Sequence, residues 1–180
     1  MIVNGRSDNA VDSALEQVRK AVPEAKVEGF AGDLATAAAT EDLLKLSPAM
    51  DILVNNLGIY EPRPFDEISD EEWRRFFEIN VLSGVRLSRA YLPGMKERDW
   101  GRIVFISSES AINSPKEMIH YGMTKTAQLA VSRGLAEYCG WDRDHRELHS
   151  SRANSLCRRG RLCEATRRRP IVRGLREGIF

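Results

Sequence analysis

Two runs constrain this chain more than any others: "MDILVNN" at 50–56 and "GRIVFISS" at 101–108. Each is short, rich in β-branched and apolar residues, and bounded by polar ones, the pattern of a strand buried on both faces of its sheet. Between them stands "SDEEWRRFFEINVLSGVRLSRAYLPGMKE" (69–97), which opens on Ser69 with acids in its first turn and reads as one long helix. The same alternation runs upstream. "MIVN" reads as a short strand. "AVDSALEQVRKAV" follows with Val11, Ala14, Leu15, Val18 and Val22 along one helical stripe, Asp8 or Asn9 as its cap and Pro23 closing it. "KVEGFAGDL" reads as a strand ending at Asp33, and "TEDLLKL" as a helix capped by Thr40. Downstream, "MIHYGMTKTAQLAVSRGLAEYCG" is a further helix, stopped by Gly140. Strands alternating with helices of ten or more residues form βαβ units, so the expected fold is α/β, a parallel sheet covered by helices.

Such sheets bind ligands beyond the carboxyl ends of their strands. The positions to watch are therefore Asn4–Ser7, Asp33, Asn55–Gly58 and Ser107–Ser108. Polar residues end strands in any protein, so none of these is informative alone.

Composition narrows the setting. The chain has 180 residues, 42% hydrophobic and 29% charged, enough for one domain with a proper core. No run approaches the roughly 20 apolar residues of a membrane span, and "MIVNGRSDNA" lacks the basic start and apolar run of a secretory signal. Three cysteines, Cys139, Cys157 and Cys163, offer no metal-binding spacing. A reducing, cytoplasmic setting is the expectation. The net charge of +1 hides an asymmetry: residues 141–180 hold eleven arginines, no lysine and five acids, leaving −5 on the rest.

The stretch "SSESAINSPKEMIHYGMTK" (107–125) offers a serine, a tyrosine and, one helical turn further, a lysine. Tyr and Lys at i, i+4 share a helix face. A tyrosine hydroxyl ordinarily titrates near ~10, too high for acid–base work at neutrality, and a nearby ammonium favours the phenolate. Taken one by one, Ser107 and Ser108 read equally well as a strand end, Tyr121 as a half-buried helix residue, Lys125 as a surface lysine and Asn80 as an exposed asparagine.

In order along the chain, the pieces match a family. Asp33-Leu34 after a strand, "NNLG" at Asn55–Gly58, "INV" at Ile79–Val81, "ISS" at Ile106–Ser108 and "YGMTK" at Tyr121–Lys125 together resemble the short-chain dehydrogenases/reductases. These transfer hydride between a nicotinamide dinucleotide and a carbonyl or secondary alcohol. The resemblance covers Met1 to about Trp141. It implies a Rossmann-like, doubly wound parallel sheet with helices on both faces. It implies catalytic roles for Asn80, Ser108, Tyr121 and Lys125: Tyr121 as the proton-transfer group and Lys125 as its electrostatic partner, bonded also to the nicotinamide ribose. Ser108 holds the substrate oxygen. The main-chain carbonyl of Asn80 holds a water that relays protons to the lysine. Cofactor contacts are implied for Asp33, Leu34, Asn55, Gly58, Ile106, Tyr121 and Lys125, with Leu57 standing where the family places an alanine. After "MIVN", where NAD-preferring members place an acid, this chain has Arg6 and Ser7, suited to a 2′-phosphate. The expected cofactor is NADP(H) rather than NAD(H), the partner a small carbonyl or alcohol, and the assembly a homodimer or homotetramer.

Both ends depart from the family. Its first strand and glycine-rich turn, whose N–H groups hold the pyrophosphate, have no counterpart here, and that strand lies between "MIVN" and "DILVNN" in the family's sheet order. The expected fold is therefore incomplete. After the tyrosine helix, "GWDRDHRELHSSRANSLCRRGRLCEATRRR" replaces the family's next strand and P-G turn. Codons for Trp141 to Glu147, read one nucleotide out of frame, can spell Gly-Thr-Val-Thr-Thr-Val-Asn, which resembles that strand. The reading is a partial domain over 1–140 and an arginine-rich tail over 141–180, disordered or arising by frameshift; on resequencing, an intact alternative frame spelling a P-G turn supports the frameshift and its absence refutes it. The alternatives are an inactive fragment and, with less behind it, an arginine-tailed nucleic-acid-binding module. Substrate identity lies beyond these residues.

Overall fold

The computed structural model describes residues 1–140; expectations for residues 141–180 lie outside them. The elements run β1 (Ile2–Gly5), α1 (Asp8–Ala21), β2 (Glu28–Ala31), α2 (Ala37–Leu46), β3 (Ile52–Asn55), α3 (Asp70–Phe77), a π-helical turn (Glu78–Leu82), α4 (Ser83–Glu97), β4 (Arg102–Phe105) and α5 (Ile119–Gly140). β1 pairs with β2 and β3 with β4, both in parallel, with Ile2 opposite Glu28 and Ile52 opposite Arg102. Among the described residues no ladder joins the two pairs. This is an α/β, Rossmann-like arrangement in an incomplete form.

Helices lie on both faces of the first pair. Val3, Val11, Leu15 and Val27 pack together under α1, whereas Ile2 and Phe30 turn the other way, into a second cluster with Leu43, Leu53, Tyr91 and Phe105. Successive strand residues face opposite sides, so one short strand serves both layers. The second cluster binds α2, α4 and both strand pairs into one core.

Sequence expectation and structure part at β3. Leu53 and Asn55 are buried, yet Ile52 and Val54 are 56% and 55% exposed. The apolar run correctly marks a strand, but no described helix covers its second face, so it is buried on one side only. Helix starts also shift. Ser7, not Asp8 or Asn9, caps α1 by accepting from the Ala10 N–H at 3.4 Å. Thr36, not Thr40, caps α2 (Ala39 N–H, 3.2 Å), because the alanine-rich stretch extends the helix upstream. Thr40 instead donates to the Thr36 carbonyl from inside the helix. β2 ends at Ala31 rather than Asp33. Ser69 caps α3 as expected, in a reciprocal box with Glu72, an arrangement worth about 1 kcal/mol.

The helix expected to run unbroken over 69–97 is interrupted. Its π turn at Glu78–Leu82 inserts one extra residue, a local widening that helices adopt where side chains demand it. Here it turns Asn80, fully buried, into the protein.

Candidate active site

The carboxyl ends of β3 and β4, the π turn and α5 converge on a cluster of buried polar side chains. Asn80 fixes the loop after β3: its Oδ1 accepts from the Ile59 N–H at 2.7 Å and its Nδ2 donates to the Ile59 carbonyl at 2.9 Å. The same Nδ2 donates to Thr124 Oγ1 at 3.0 Å, and Thr124 in turn donates to the Tyr121 carbonyl at 2.7 Å. One carboxamide therefore ties loop, π turn and α5 together.

Lys125 lies in this cluster, only 6% exposed. Its Nζ donates to the Ile106 carbonyl at 2.8 Å and to Gln128 Oε1 at 3.1 Å. Burial pushes its pKa down from the ordinary lysine value, because a desolvated ammonium is costly. Two acceptors face it, and an ammonium has three N–H groups. No described residue accepts the third. The Gln128 Nε2 donates to the Asn80 main-chain carbonyl. That carbonyl is the atom to which the family resemblance assigns a proton-relay water, and here a side chain links it to Lys125.

Tyr121 sits one turn before Lys125, half-buried, with the lysine Nζ 5.6 Å from its ring centroid. Tyr60 packs edge-on against it at 6.3 Å between centroids. Ser108 is half-buried and opens the 3₁₀ turn Glu109–Ala111, accepting from the Ser110 N–H at 3.2 Å. That turn rests on the start of α5. Thr126 Oγ1 donates to the Ala111 carbonyl at 2.8 Å. A Cβ on Gly122 would lie 2.9 Å from the Ser110 carbonyl oxygen and 2.2 Å from Ser114 Oγ, too close for any side chain. Gly58 lies where a Cβ would be 3.5 Å from Asn80 Oδ1 and 3.7 Å from Lys125 Nζ.

The remaining sequence-derived positions divide. Ile106 contributes main chain, its N–H donating to the Asn55 carbonyl at 3.0 Å and its own carbonyl held by Lys125. The Asn55 side chain turns inward to α4, its Nδ2 donating to Ser88 at 3.4 Å while Oδ1 is buried without a partner among the described residues. Arg6 and Asp33 are exposed at the ends of the other strand pair. Asp33 Oδ1 accepts from the Ala35 N–H at 3.1 Å. The Leu34 side chain belongs to the core cluster, which leaves only its main chain free of the core. Ser7 spends its oxygen on the α1 cap.

Sequence reasoning missed Thr124 and Gln128. Both share the α5 face of Tyr121 and Lys125, at i+3 and i+7 from the tyrosine, and Ser132 continues it. All three are buried. The signal was present: a core-facing helix stripe made of polar residues.

The family model described as short chain dehydrogenase matches residues 1–140. The chain belongs to this family. It is 47% identical over 137 residues to the uncharacterized oxidoreductase YvaG of Bacillus subtilis (strain 168), covering 76% of this chain and 52% of that protein. It is 28% identical over 183 residues to D-beta-hydroxybutyrate dehydrogenase of Cupriavidus necator, covering 99% of this chain and 67% of that one. Among solved structures, L-sorbose reductase from Gluconobacter frateurii, complexed with NADPH and L-sorbose, superposes with a TM-score of 0.69 at 29% identity, over 76% of this chain and 53% of that one. The chain thus spans about half the length of its Bacillus subtilis relative. Oxidoreductase is the class these short-chain dehydrogenase relatives carry. No helix among the described residues is long and apolar enough to cross a membrane.

Proposed function

We propose that this chain carries the acid–base half of an oxidoreductase that interconverts a carbonyl and a secondary alcohol, with NADP(H) as cofactor. The observation behind this reading is the buried Lys125 ammonium, pinned by Ile106 and Gln128 one helical turn from Tyr121, at the carboxyl edge of β4. In the reducing direction Tyr121 gives its phenolic proton to the substrate oxygen, and the Lys125 charge stabilises the phenolate that remains. Ser108 donates a hydrogen bond to the same oxygen and holds it beside the phenol. The carbonyl carbon would receive its hydride from NADPH, held beside Lys125 when bound.

The residues present fit the nicotinamide-ribose and adenine ends of such a cofactor. The unclaimed third N–H of the buried lysine suits a ribose hydroxyl. Asn55, the last residue of β3, and Gly58 beyond it take the adenine-ribose side, and the main chain of Ile106 lies beside Lys125. Asp33 and the Leu34 main chain take the adenine end. Arg6 and Ser7 sit where a 2′-phosphate would gain a guanidinium partner. L-sorbose reductase, complexed with NADPH, supports this preference by likeness.

The chain's span of about half of its Bacillus subtilis relative favours a second statement: alone, the 180 residues hold the site with little or no turnover. The test is a chimaera in which YvaG supplies the segments of its own length that this chain does not span. It should oxidise NADPH with simple ketones, and Arg6→Ala should weaken NADPH use at least about fivefold while sparing NADH. Equal use of both cofactors would count against the NADP(H) reading. Assembly through α4 and α5 is supported by a groove of about 500 Å³ between them, lined mostly by apolar residues, among them Val85, Leu92, Val131 and Leu135, with Arg89 and Lys96 beside them. Light scattering on the chimaera should report a dimer or tetramer.

A further inference from the structure

We propose that Gln128 is a positioning residue for Lys125, a carboxamide bridge that holds the lysine as an ammonium and fixes its direction. This rests on the reading of Lys125 as the partner of Tyr121. The bridge spans two fixed points: Nε2 donates to the Asn80 main-chain carbonyl, and Oε1 accepts from Lys125 Nζ at 3.1 Å. Gln128 is 2% exposed, so water does not compete for either contact.

The direction of the amide follows from chemistry. A main-chain carbonyl only accepts, so Nε2 must face Asn80, and the oxygen is left to face the lysine. A charged ammonium makes a stronger hydrogen bond to a carbonyl oxygen than a neutral amine does. The buried amide therefore favours the charged lysine over the neutral amine. Its partner on the other side, the Ile106 carbonyl, acts the same way at 2.8 Å. With two N–H groups aimed at fixed acceptors, the third has its direction set as well. A lysine side chain has four rotatable bonds, and this pair of anchors removes their freedom before any ligand arrives.

The surroundings leave this task to neutral groups. From the loop after β3, the π turn, β4 and α5 itself, Lys125 faces Gly58, Asn80, Ile106 and Gln128, with the Tyr121 phenol as the titratable neighbour. No carboxylate among the described residues offsets its burial, which lowers its pKa. Against that burial the amide oxygen is one of two contacts that favour the charged form. The sequence places the bridge economically, since Gln128 lies three residues after Lys125 on the same helix face.

The test reads the lysine directly in the 180-residue chain. Lysine is labelled at 13Cε, Lys125 is assigned by its loss in Lys125→Arg, and its carbon shift is followed from pH 7 to 11. Gln128→Leu should lower the Lys125 midpoint by about one pH unit, a tenfold loss of proton affinity, and Gln128→Glu should raise it. In the wild-type chain, the Gln128 13Cδ resonance should titrate with the Lys125 midpoint. This last readout stands even where a variant fails to fold. A midpoint unmoved in both folded variants, or a Gln128 carbon indifferent to Lys125 titration, overturns the proposal. Turnover is not measured here, so failure leaves the Tyr121–Lys125 reading standing. That reading falls instead if turnover survives Tyr121→Phe.

Discussion

Replacing Asn80 with alanine probes how the site is held together. The side chain makes three hydrogen bonds, two to Ile59 main chain and one to Thr124, from a fully buried position. Each net bond contributes about 1 kcal/mol. Thr124 keeps its donor role to the Tyr121 carbonyl, and Ile59 is half-buried, so solvent repairs part of the loss there. Adding the vacated volume, the cost comes to about 3–4 kcal/mol. With a urea slope of about 2 kcal/mol per molar, the unfolding midpoint should fall by about 1.5–2 M. A double-mutant cycle with Thr124→Val should return about 1 kcal/mol of coupling for the cross-helix bond. The assay is urea unfolding followed by far-ultraviolet circular dichroism and, in parallel, tryptophan fluorescence, since coincident curves justify a single free energy. A loss below about 1 kcal/mol, the ordinary effect of a surface change, would refute the claim that Asn80 clamps the loop to α5.

Three further outcomes follow from the same geometry. Gly122→Ala forces a methyl group against the Ser110 carbonyl and Ser114. It should destabilise the chain by about 1–3 kcal/mol, measured by urea unfolding, and displace the Ser108 turn. His120 is 1% exposed beside Phe76 and Trp73, with burial, more than Glu72 and Glu61 can offset, pushing its pKa below the ordinary value. The unfolded chain then binds the extra proton first, so this contribution is whole above about pH 6.5 and declines as pH falls through the folded value. His120→Phe should flatten the stability profile in that acid window, and an unchanged slope would contradict the assignment. Arg6→Ala should separate NADPH from NADH use in the completed chimaera.

Much of this architecture was legible because period and length carry physical meaning. Short apolar runs marked β3 and β4, and the 3.6-residue stripe marked α1, since those periods decide which side chains reach a core. Ser69 announced α3 by a cap whose chemistry is local. What escaped was set by tertiary context. The π turn at Glu78–Leu82 leaves no signature in local propensity; it exists because Asn80 finds Ile59 and Thr124 waiting inside. The exposed face of β3 could not be read either, since an apolar run says that a surface wants burial and not what lies over it. The caps at Ser7 and Thr36 moved because several residues nearby cap equally well, and small extensions of a helix are almost free. At the site, Tyr121, Lys125 and Ser108 were singled out by the family resemblance that the order of the motifs carries, since spacing alone decides nothing. Gln128 and Thr124 were overlooked because polar residues on a helix are ordinarily assigned to water, and here they face the core.

The account depends on the Tyr121 hydroxyl acting as the proton-transfer group under the influence of Lys125. The most direct measurement is steady-state NADPH oxidation with a simple ketone by the YvaG-completed chimaera and its Tyr121→Phe variant, which keeps the ring and removes only the hydroxyl. The account predicts a fall in kcat of at least about a hundredfold with the fold intact. Turnover within a few fold of the parent would contradict it.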